Sequence, residues 1–304
     1  MKWLRRIAVI LVGLGLLAFG AWKYLTAREA FPEVSHYRID LDALDSLARG
    51  GEGDLPVVVQ HEQVAVAGLP AAAVFAGESF DEWPMSHGSY RAVYPDGSSV
   101  VIDSAFREAA LEQMPYGGTY DAAAFARVLG ALRDAKAVVL THEHFDHIAG
   151  LAAVEDFPSL AQRLVMNREQ LENPQTADFL TAEQRARITP VDYAETLRVA
   201  PGVVLLRAPG HTPGSQIVYV RPQRGKALLL IGDVAWHLDQ IRNEHYRPRL
   251  VTDYLLGEDR DAVLNQMRAL KDLLDSERVA VVSSHDVDDR ARLIAAGVIR
   301  DGFR

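Results

Sequence analysis

The 304-residue chain contains no cysteine, and this absence excludes several kinds of chemistry at once. Without a thiol there is no disulfide, no thiolate nucleophile and no sulfur ligand for a metal ion. A transition-metal site in this chain would have to be built from imidazole and carboxylate groups. The redox compartment stays open, because a chain without cysteine is compatible with either side of a membrane.

The chain also lacks a strongly basic stretch. Its formal net charge is −9, and the densest basic segment, residues 242–249, still contains Glu244. An acidic surface repels phosphate backbones, so a nucleic-acid partner is not expected. Short internal repeats and low-complexity segments are missing as well. With 49% hydrophobic and 24% charged residues, the composition predicts an ordinary globular domain with a substantial core.

The N-terminus carries a long apolar run. Three basic residues in the first six positions precede sixteen uncharged residues, 7–22. As a helix these would cover ~24 Å of a ~30 Å hydrocarbon core. We expect residues 1–25 to form an uncleaved membrane anchor, with the rest of the chain outside the cytoplasm (periplasmic in a bacterium) because the basic flank stays inside. The alternative is a signal peptide cleaved near residues 18–20, which would release a secreted protein.

Residues 26–55 are predicted to be a juncture that ends in a glycine-rich break at Gly50, Gly51 and Gly53. Residues 56–304 are predicted to form one domain. Its strand-like runs lie at 56–60, 63–68, 89–94, 98–103, 135–140, 202–210, 215–220, 227–233 and 278–286, and its main helices at 121–134 and 259–274. Strands before and after helices, in two similar halves, indicate a layered α/β domain.

Groups that bind metal ions are concentrated in one short segment. The motif THEHFDHIAG, residues 141–150, places four of them after a strand-like run: His142, His144, Asp146 and His147. Three more stand at the ends of later strand-like runs: His211, Asp233 and His285. A single histidine at a strand end is usually an ordinary polar residue. Seven such groups, in a chain without thiolates, predict a site for zinc or a similar divalent ion.

The pattern H-x-H-x-D-H, followed by His, Asp and His, resembles the metallo-β-lactamase superfamily of metallohydrolases. The gaps after the motif are 64, 22 and 52 residues, which fit the layout of that family. The resemblance covers most of residues 56–295. It implies a four-layer αβ/βα sandwich with two divalent metal ions, zinc being favoured, at one edge. The N-terminal transmembrane segment, which we expect in front of this sandwich, lies outside the resemblance.

The resemblance also implies a role for each candidate residue. The first ion would be held by His142, His144 and His211, the second by Asp146, His147 and His285, and Asp233 would bridge the two. Asp103 matches an acidic residue that family members carry N-terminal to the motif. That residue would support the metal loop, residues 141–150, from behind. The two ions would lower the pKa of a shared water so that hydroxide forms near neutrality, and Asp146 would carry the proton.

Departures from the family pattern narrow the branch. Members with a cysteine ligand are excluded, because the chain has no cysteine. Nucleolytic members need basic surfaces, which this chain lacks. The bridging Asp233 is typical of lactonases, glyoxalase II thioesterases, phosphotriesterase-like enzymes and persulfide dioxygenases. The segment after His211 is similar to that of lactonases. However, Trp236 stands where many lactonases have a tyrosine. Trp236 and Phe145 are predicted to form apolar substrate walls, while His237 could donate to a leaving group or lie at the surface.

We therefore expect an exported, membrane-tethered hydrolase with two metal ions that opens an ester-like bond of a small molecule, above all a lactone. A thioesterase or phosphotriesterase-like hydrolase is one alternative. A mononuclear iron enzyme of the persulfide dioxygenase type is another. A non-enzymatic, metal-stabilised binding module is a third, but such a module has no use for seven ligands.

Overall fold

A computed structural model describes residues 2–304. Its helices are α1 (Lys2–Thr26), α2 (Leu41–Arg49), α3 (Ala71–Val74), α4 (Ala122–Asp134), α5 (Phe145–Ile148), α6 (Phe157–Ala161), α7 (Arg168–Glu172), α8 (Thr176–Phe179), α9 (Ala182–Ala186), α10 (Leu238–Arg242), α11 (Arg260–Ser276) and α12 (Val287–Ala295). A π-helical segment, Leu250–Leu256, precedes α11. Its strands are β1 (Val58–Pro70), β2 (Glu82–Val93), β3 (Ser99–Ile102), β4 (Gly118–Tyr120), β5 (Ala137–Val139), β6 (Leu164–Val165), β7 (Thr196–Ala200), β8 (Val203–Arg207), β9 (Gln216–Val220), β10 (Leu228–Leu230), β11 (Ala280–Val282) and β12 (Arg300–Asp301).

The strands form two sheets. The first has the order β12-β1-β2-β3-β5-β6, with β4 beside β1, and the second has the order β11-β10-β9-β8-β7. β3 and β5 are parallel, as are β10 and β11. Parallel neighbours end at the same edge of a sheet, so the loops that follow them meet there. The predicted metal loop follows β5, and the segments of Asp233 and His285 follow β10 and β11.

Three apolar cores define the layers. Val59, Ile102 and Val139 of the first sheet pack against Leu205 and Val218 of the second. The outer face of the first sheet is covered by α4 and its neighbours, and that of the second sheet by α2, α10 and α11. The layers therefore follow the order helix, sheet, sheet, helix. The predicted layered α/β fold with two sheets is confirmed.

β1 differs from its predicted form. The sequence predicted two short strands at 56–60 and 63–68, whereas the structure has one 13-residue strand. The pairing with β2 shifts register between Gln63 and Ala65, where Ala65 lies opposite His87. An extra residue in one strand bends it and redirects nearby side chains. The polar interruption in the sequence thus marks a bulge within the strand.

Part of the predicted juncture packs onto the second sheet. Asp40 caps α2 by accepting hydrogen bonds from two backbone N–H groups. Leu44 and Ala48 of that helix are buried beside Val204 and Tyr219. Apolar packing therefore continues N-terminal of residue 56, and the domain boundary expected there stays a prediction.

α1 stands apart from these cores. Its segment Val9–Thr26 is long and apolar enough to cross a membrane, and none of it is buried. Large apolar side chains, Leu11, Leu17 and Phe19 among them, are exposed along the helix. Length and composition of this kind fit a membrane span and a signal sequence equally.

The packing of α2 can be tested by Leu44→Ala. Leu44 is 2% exposed, so its truncation should lower the free energy of unfolding by about 2–5 kcal/mol. Ser46→Ala, on the exposed side of the same helix, should change it by less than about 0.5 kcal/mol. Both values follow from denaturant unfolding of the full chain in detergent. Equal effects of the two substitutions would contradict the packing of α2 as part of the folded domain.

Candidate metal centre

The predicted metal-ligating residues converge at the edge where the parallel strands end. One group, whose ligand atoms all lie within 4.8 Å of one another, consists of His142, His144, His211 and Asp233. Two further groups share His285: His147 with Asp233 and His285, and His87 with Asp146 and His285. All seven predicted residues fall into these groups, and Asp233 belongs to two of them. His87 was not predicted.

The first group has the spacing of ligands around one ion. His144 Nδ1 lies 3.2 Å from His142 Nε2 and 2.9 Å from His211 Nε2. Imidazole nitrogens bound to a tetrahedral zinc at ~2.0–2.1 Å are ~3.3 Å apart. Burial and the nearby imidazoles hold the pKa of His142 well below its usual range and lower the pKa of His144 to about 3. Neutral rings offer the lone pairs that a metal ion needs.

The two groups that share His285 are taken together as the second group. This second group has buried polar atoms that protein groups do not satisfy. His147 Nε2 lies 3.4 Å from Asp233 Oδ1 and 3.6 Å from Asp146 Oδ2. Among the described residues, neither His147 Nε2 nor Asp233 Oδ1 has a hydrogen-bond partner. Burial alone would lower the pKa of His147, but the carboxylates of Asp146, Asp103 and Asp233 raise it well above its usual value. Such a negative, unsatisfied site fits a cation.

Asp233 faces both groups. Its Oδ1 lies 3.4 Å from His147 Nε2, and His285 Nε2 lies 3.1 Å from Oδ1 and 3.2 Å from Oδ2, on the side of the second group. Oδ2 lies 3.5 Å from His211 Nε2 and 3.7 Å from His142 Nε2, on the side of the first. Burial would raise the pKa of Asp233, but the imidazoles of His285, His142 and His147 hold it well below its usual range. An ionised carboxylate placed in this way can bridge two cations.

Asp103 supports the metal loop from behind. Its Oδ2 accepts hydrogen bonds from His147 Nδ1 (2.8 Å) and Thr141 Oγ1 (2.9 Å), and its Oδ1 accepts one from the backbone N–H of Thr141 (2.7 Å). The contact turns His147 Nε2 toward the ligand cluster. Fixing the second ring nitrogen in this way is how proteins orient metal-binding histidines. The structure therefore places Asp103 directly behind His147, and its support of a bound metal ion stays a prediction.

Glu258 orients the His211 ring as Asp103 orients that of His147. Sequence reasoning did not identify Glu258. Glu258 Oε1 lies 2.6 Å from His211 Nδ1 and accepts a hydrogen bond from Arg247 at 2.7 Å. The Tyr246 hydroxyl donates to the other carboxylate oxygen. Burial raises the pKa of Glu258, but Arg247 and the other partners lower it to about 2. Glu258 lies in a loop 47 residues beyond His211, so no local pattern points to it.

Glu143 stands between two candidate ligands of the motif, His142 and His144, but points away from them. Its carboxylate accepts hydrogen bonds from Thr212 Oγ1 (2.8 Å) and Asn173 Nδ2 (2.6 Å). This ties the loop of the motif to the loop of His211. Gly214 makes the approach possible, because a Cβ there would lie 2.6 Å from Glu143 Oε2.

His87 is the second residue that sequence reasoning missed. It lies on β2, is 5% exposed, and its Nδ1 is 2.9 Å from Asp146 Oδ2. The His87 ring lies 4.7 Å from that of His285, whose own Nδ1 lies 2.8 Å from the Ser86 carbonyl oxygen. Among the described residues, His87 Nε2 is buried without a partner. The strand lies far upstream of the motif, so only the folded chain brings them together.

A cleft of about 370 Å³ opens over the two groups. This volume is within the range of pockets for small organic ligands. Five of the lining residues are metal-ligating candidates: His87, His144, Asp146, Asp233 and His285. Seven are apolar, Leu69, Met85, Met114, Phe145, Phe179, Trp236 and Leu256, and Gln175 and Asp178 complete the lining. A ligand with a polar group at the metal candidates and an apolar extension would match both sets.

Two of the three residues predicted to contact substrate line this cleft. Phe145 and Trp236 do so, but His237 does not. His237 is buried, with Nε2 3.1 Å from Asp286 Oδ1 and Nδ1 accepting a hydrogen bond from the backbone N–H of Asp239. Both ring nitrogens are therefore engaged, and the structure supports neither a leaving-group donor nor a surface residue at this position.

Trp236 is more than the predicted apolar wall. Its Nε1–H donates a hydrogen bond to Asp233 Oδ2 at 2.8 Å. The Arg247 guanidinium lies over the indole ring, 4.5 Å from its centre. The indole thus holds the candidate bridging carboxylate in one orientation, while its ring faces the cleft.

The comparisons with known proteins agree with this geometry. A model of the metallo-β-lactamase superfamily matches residues 87–285. An N-acyl homoserine lactonase of Bacillus sp. is 27% identical over 151 residues, which cover 50% of this chain and 56% of the relative. The chain thus matches just over half the length of this curated relative.

Solved structures share the fold. A quorum-quenching N-acyl homoserine lactone lactonase is 18% identical, with a TM-score of 0.62 over 79% of this chain and 97% of that one. An N-acyl homoserine lactone hydrolase, with N-hexanoyl-L-homoserine bound at its catalytic metal centre, is 16% identical, with a TM-score of 0.62 over 78% and 96%. The chain belongs to the metallo-β-lactamase superfamily, and the resemblance inferred from its motifs is confirmed.

The bridge can be tested by Asp233→Asn. Loss of the charge that both groups share should lower the bound metal per chain by about half or more, because a neutral amide is a poor ligand for a divalent ion. Metal is measured by elemental analysis of the full chain after dialysis. Asp239→Asn, at the half-buried start of α10, is the control and should leave the metal content unchanged. Unaltered metal content in a folded Asp233→Asn protein would contradict the bridging role.

His87 can be tested by His87→Ala. Without the contact to Asp146, the affinity for the more weakly held ion should fall about 10- to 100-fold, the usual effect of removing a supporting partner. Competition with a chromophoric chelator measures this affinity without reference to turnover. His36→Ala, at an exposed histidine, should bind metal like the unmodified chain. Equal affinities in both variants would leave His87 as a packing residue.

Proposed function

We propose that this protein is a metal-dependent hydrolase that opens lactones by means of two divalent ions, zinc being favoured by the ligand set. The observation that carries the proposal is the pair of ligand groups that share Asp233 beneath an apolar cleft. His142, His144 and His211 would hold one ion. Asp146, His147 and His285 would hold the other, with His87 beside them. When bound, two such ions would supply Lewis acidity and an activated water near neutral pH.

The residues of the chain have separate tasks in this proposal. Asp146 lines the cleft and, with its Oδ2 beside His87, is placed to accept and pass on the proton released from water. Trp236 Nε1–H fixes Asp233 Oδ2. Phe145, Phe179 and Leu256 provide an apolar surface that excludes bulk water and suits an acyl chain. No serine or cysteine nucleophile is required.

Similarity to N-acyl homoserine lactonases supports a lactone as the substrate. A thioester or phosphotriester would meet the same two groups, so these substrates are the alternatives within the hydrolase class. The second ligand group favours two ions over the single iron of a persulfide dioxygenase. A structural binding module would not explain why the groups open onto a cleft.

We also propose that α1 is retained as a membrane anchor, with the domain outside the cytoplasm. Contacts of the domain with the end of α1 and with the residues just after it support this proposal. The Arg249 guanidinium lies 5.0 Å from the centre of the Tyr24 ring, and Arg28 donates hydrogen bonds to the carbonyls of Asn243 and Glu244. The mass of the protein isolated from membranes would distinguish an anchor from a cleaved signal sequence.

A substrate panel with metal analysis tests the hydrolase proposal. Metal-replete full chain is assayed on N-acyl homoserine lactones of several chain lengths, an aryl ester, a thioester and a phosphotriester. We expect lactones to give the highest kcat/KM, with about two zinc or similar ions per chain. Turnover of the other esters without any lactone would overturn the lactone assignment and leave the hydrolase class standing. Iron near one per chain would favour an oxygenase.

Trp236→Phe separates the two contributions of the indole. Phenylalanine keeps an apolar ring in the cleft but removes the N–H donor to Asp233. Loss of a hydrogen bond to a charged group costs about 1.5–3 kcal/mol, so kcat should fall roughly 10- to 100-fold. Phe179→Leu, in the apolar lining of the cleft, is the control, and we expect it to alter mainly KM for long acyl chains. A Trp236→Phe protein with unchanged kcat would show that only the ring matters.

A further inference from the structure

Most of the exposed apolar side chains outside α1 come from three stretches of the chain. Among the described residues outside that helix, seven large hydrophobic side chains are exposed. Five of them form what we name the rim: Phe80, Tyr116, Leu250, Tyr254 and Leu255. Phe80 and Leu255 are 68% and 72% exposed. Single exposed apolar residues are common, but a cluster marks a contact surface.

The rim lies beside the mouth of the cleft. Leu250, Tyr254 and Leu255 belong to the π-helical segment whose last residue, Leu256, lines the cleft. On the other side, the Tyr116 hydroxyl donates a hydrogen bond to the Phe80 carbonyl. Met114, two residues before Tyr116, lines the cleft as well. Both parts of the rim therefore adjoin the opening through which a substrate would enter.

The rim also lies beside the end of α1. Arg249, which precedes the π-helical segment, contacts the Tyr24 ring and pairs with Glu29 at 2.8 Å. On the Phe80 side, the Thr26 carbonyl oxygen would lie 3.8 Å from a Cβ at Gly77. A helix that crosses a bilayer would thus bring both parts of the rim to the membrane surface.

We propose that the rim docks into the interfacial layer of the bilayer that holds α1, so that the cleft opens toward lipid. This inference rests on the proposed anchor. The tyrosines of the rim have the apolar body and polar tip that suit this layer. The exposed acids Glu78, Asp81 and Glu82 flank Phe80, so the partner is a zwitterionic surface rather than an anionic one. A substrate with a long acyl chain would then enter the cleft directly from the membrane.

The absence of cysteine allows a direct test. Leu255→Cys and Phe80→Cys each create a single thiol for an environment-sensitive fluorophore on the full chain, reconstituted in phosphatidylcholine vesicles. Val57→Cys is the control, because Val57 is exposed but lies just before β1, at the opposite edge of the sheet from the cleft. Mass spectrometry verifies that α1 is present. We expect blue-shifted emission, and at least several-fold stronger quenching by nitroxide-labelled lipid, at positions 255 and 80 than at position 57.

Each outcome decides the proposal. Rim labels that are quenched no more than the label at position 57 would overturn it, as would quenching that appears only when phosphatidylglycerol is added. The fluorescence does not depend on turnover. A protein that opens no lactone but shows quenched rim labels would refute the proposed substrate and keep the rim. A protein that opens lactones but has water-exposed labels at positions 255 and 80 would refute the docking of the rim and leave the proposed substrate standing.

Discussion

The buried carboxylate of Asp233 is the constraint on which the rest of the centre depends. Its side chain is 5% exposed, and an ionised group in such a place must be compensated by partners of opposite charge or by hydrogen bonds. The imidazoles of His285 and His147, whose pKa values are raised by the nearby carboxylates, provide that compensation, and the Trp236 indole adds a hydrogen bond. These partners come from loops that follow different strands. The two sheets must therefore be correctly paired before the charge is satisfied.

The histidines around this carboxylate are themselves held by hydrogen bonds to other groups of the protein. Asp103 orients His147, Glu258 orients His211, and the Ser86 backbone orients His285. Each of these contacts joins segments that are distant in sequence. The histidines are consequently held with one nitrogen toward the cluster, and little rearrangement is needed to bind an ion.

The part of this centre that could be predicted from sequence is the part encoded locally. The spacing of the histidines identifies the motif at 141–150. Asp233 and His285 follow strand-like runs, which predicts that they lie at the same edge of the domain as the motif. Asp103 could be inferred only because the family resemblance supplied its role. His87 and Glu258 could not be predicted, since each reaches the centre through tertiary contacts. The hydrogen bond from Trp236 to Asp233 could not be predicted either, because the sequence indicates only that tryptophan is a large apolar residue. The bulge in β1 was predicted as a break between two strands.

Glu143 and Gly214 restrict how this centre can change over evolutionary time. The carboxylate of Glu143 fills the space that a side chain at position 214 would need, and Gln170 closes that space from the other side. A larger residue at 214 would push on the loop that carries His142 and His144, two of the candidate metal ligands. Positions 143, 170 and 214 are therefore free to vary only as a set. Met114, Phe179 and Leu256 of the cleft lining lie outside the segments that carry the candidate ligands, so a lineage can alter the ligand that it accepts at these positions without rebuilding the centre beneath it.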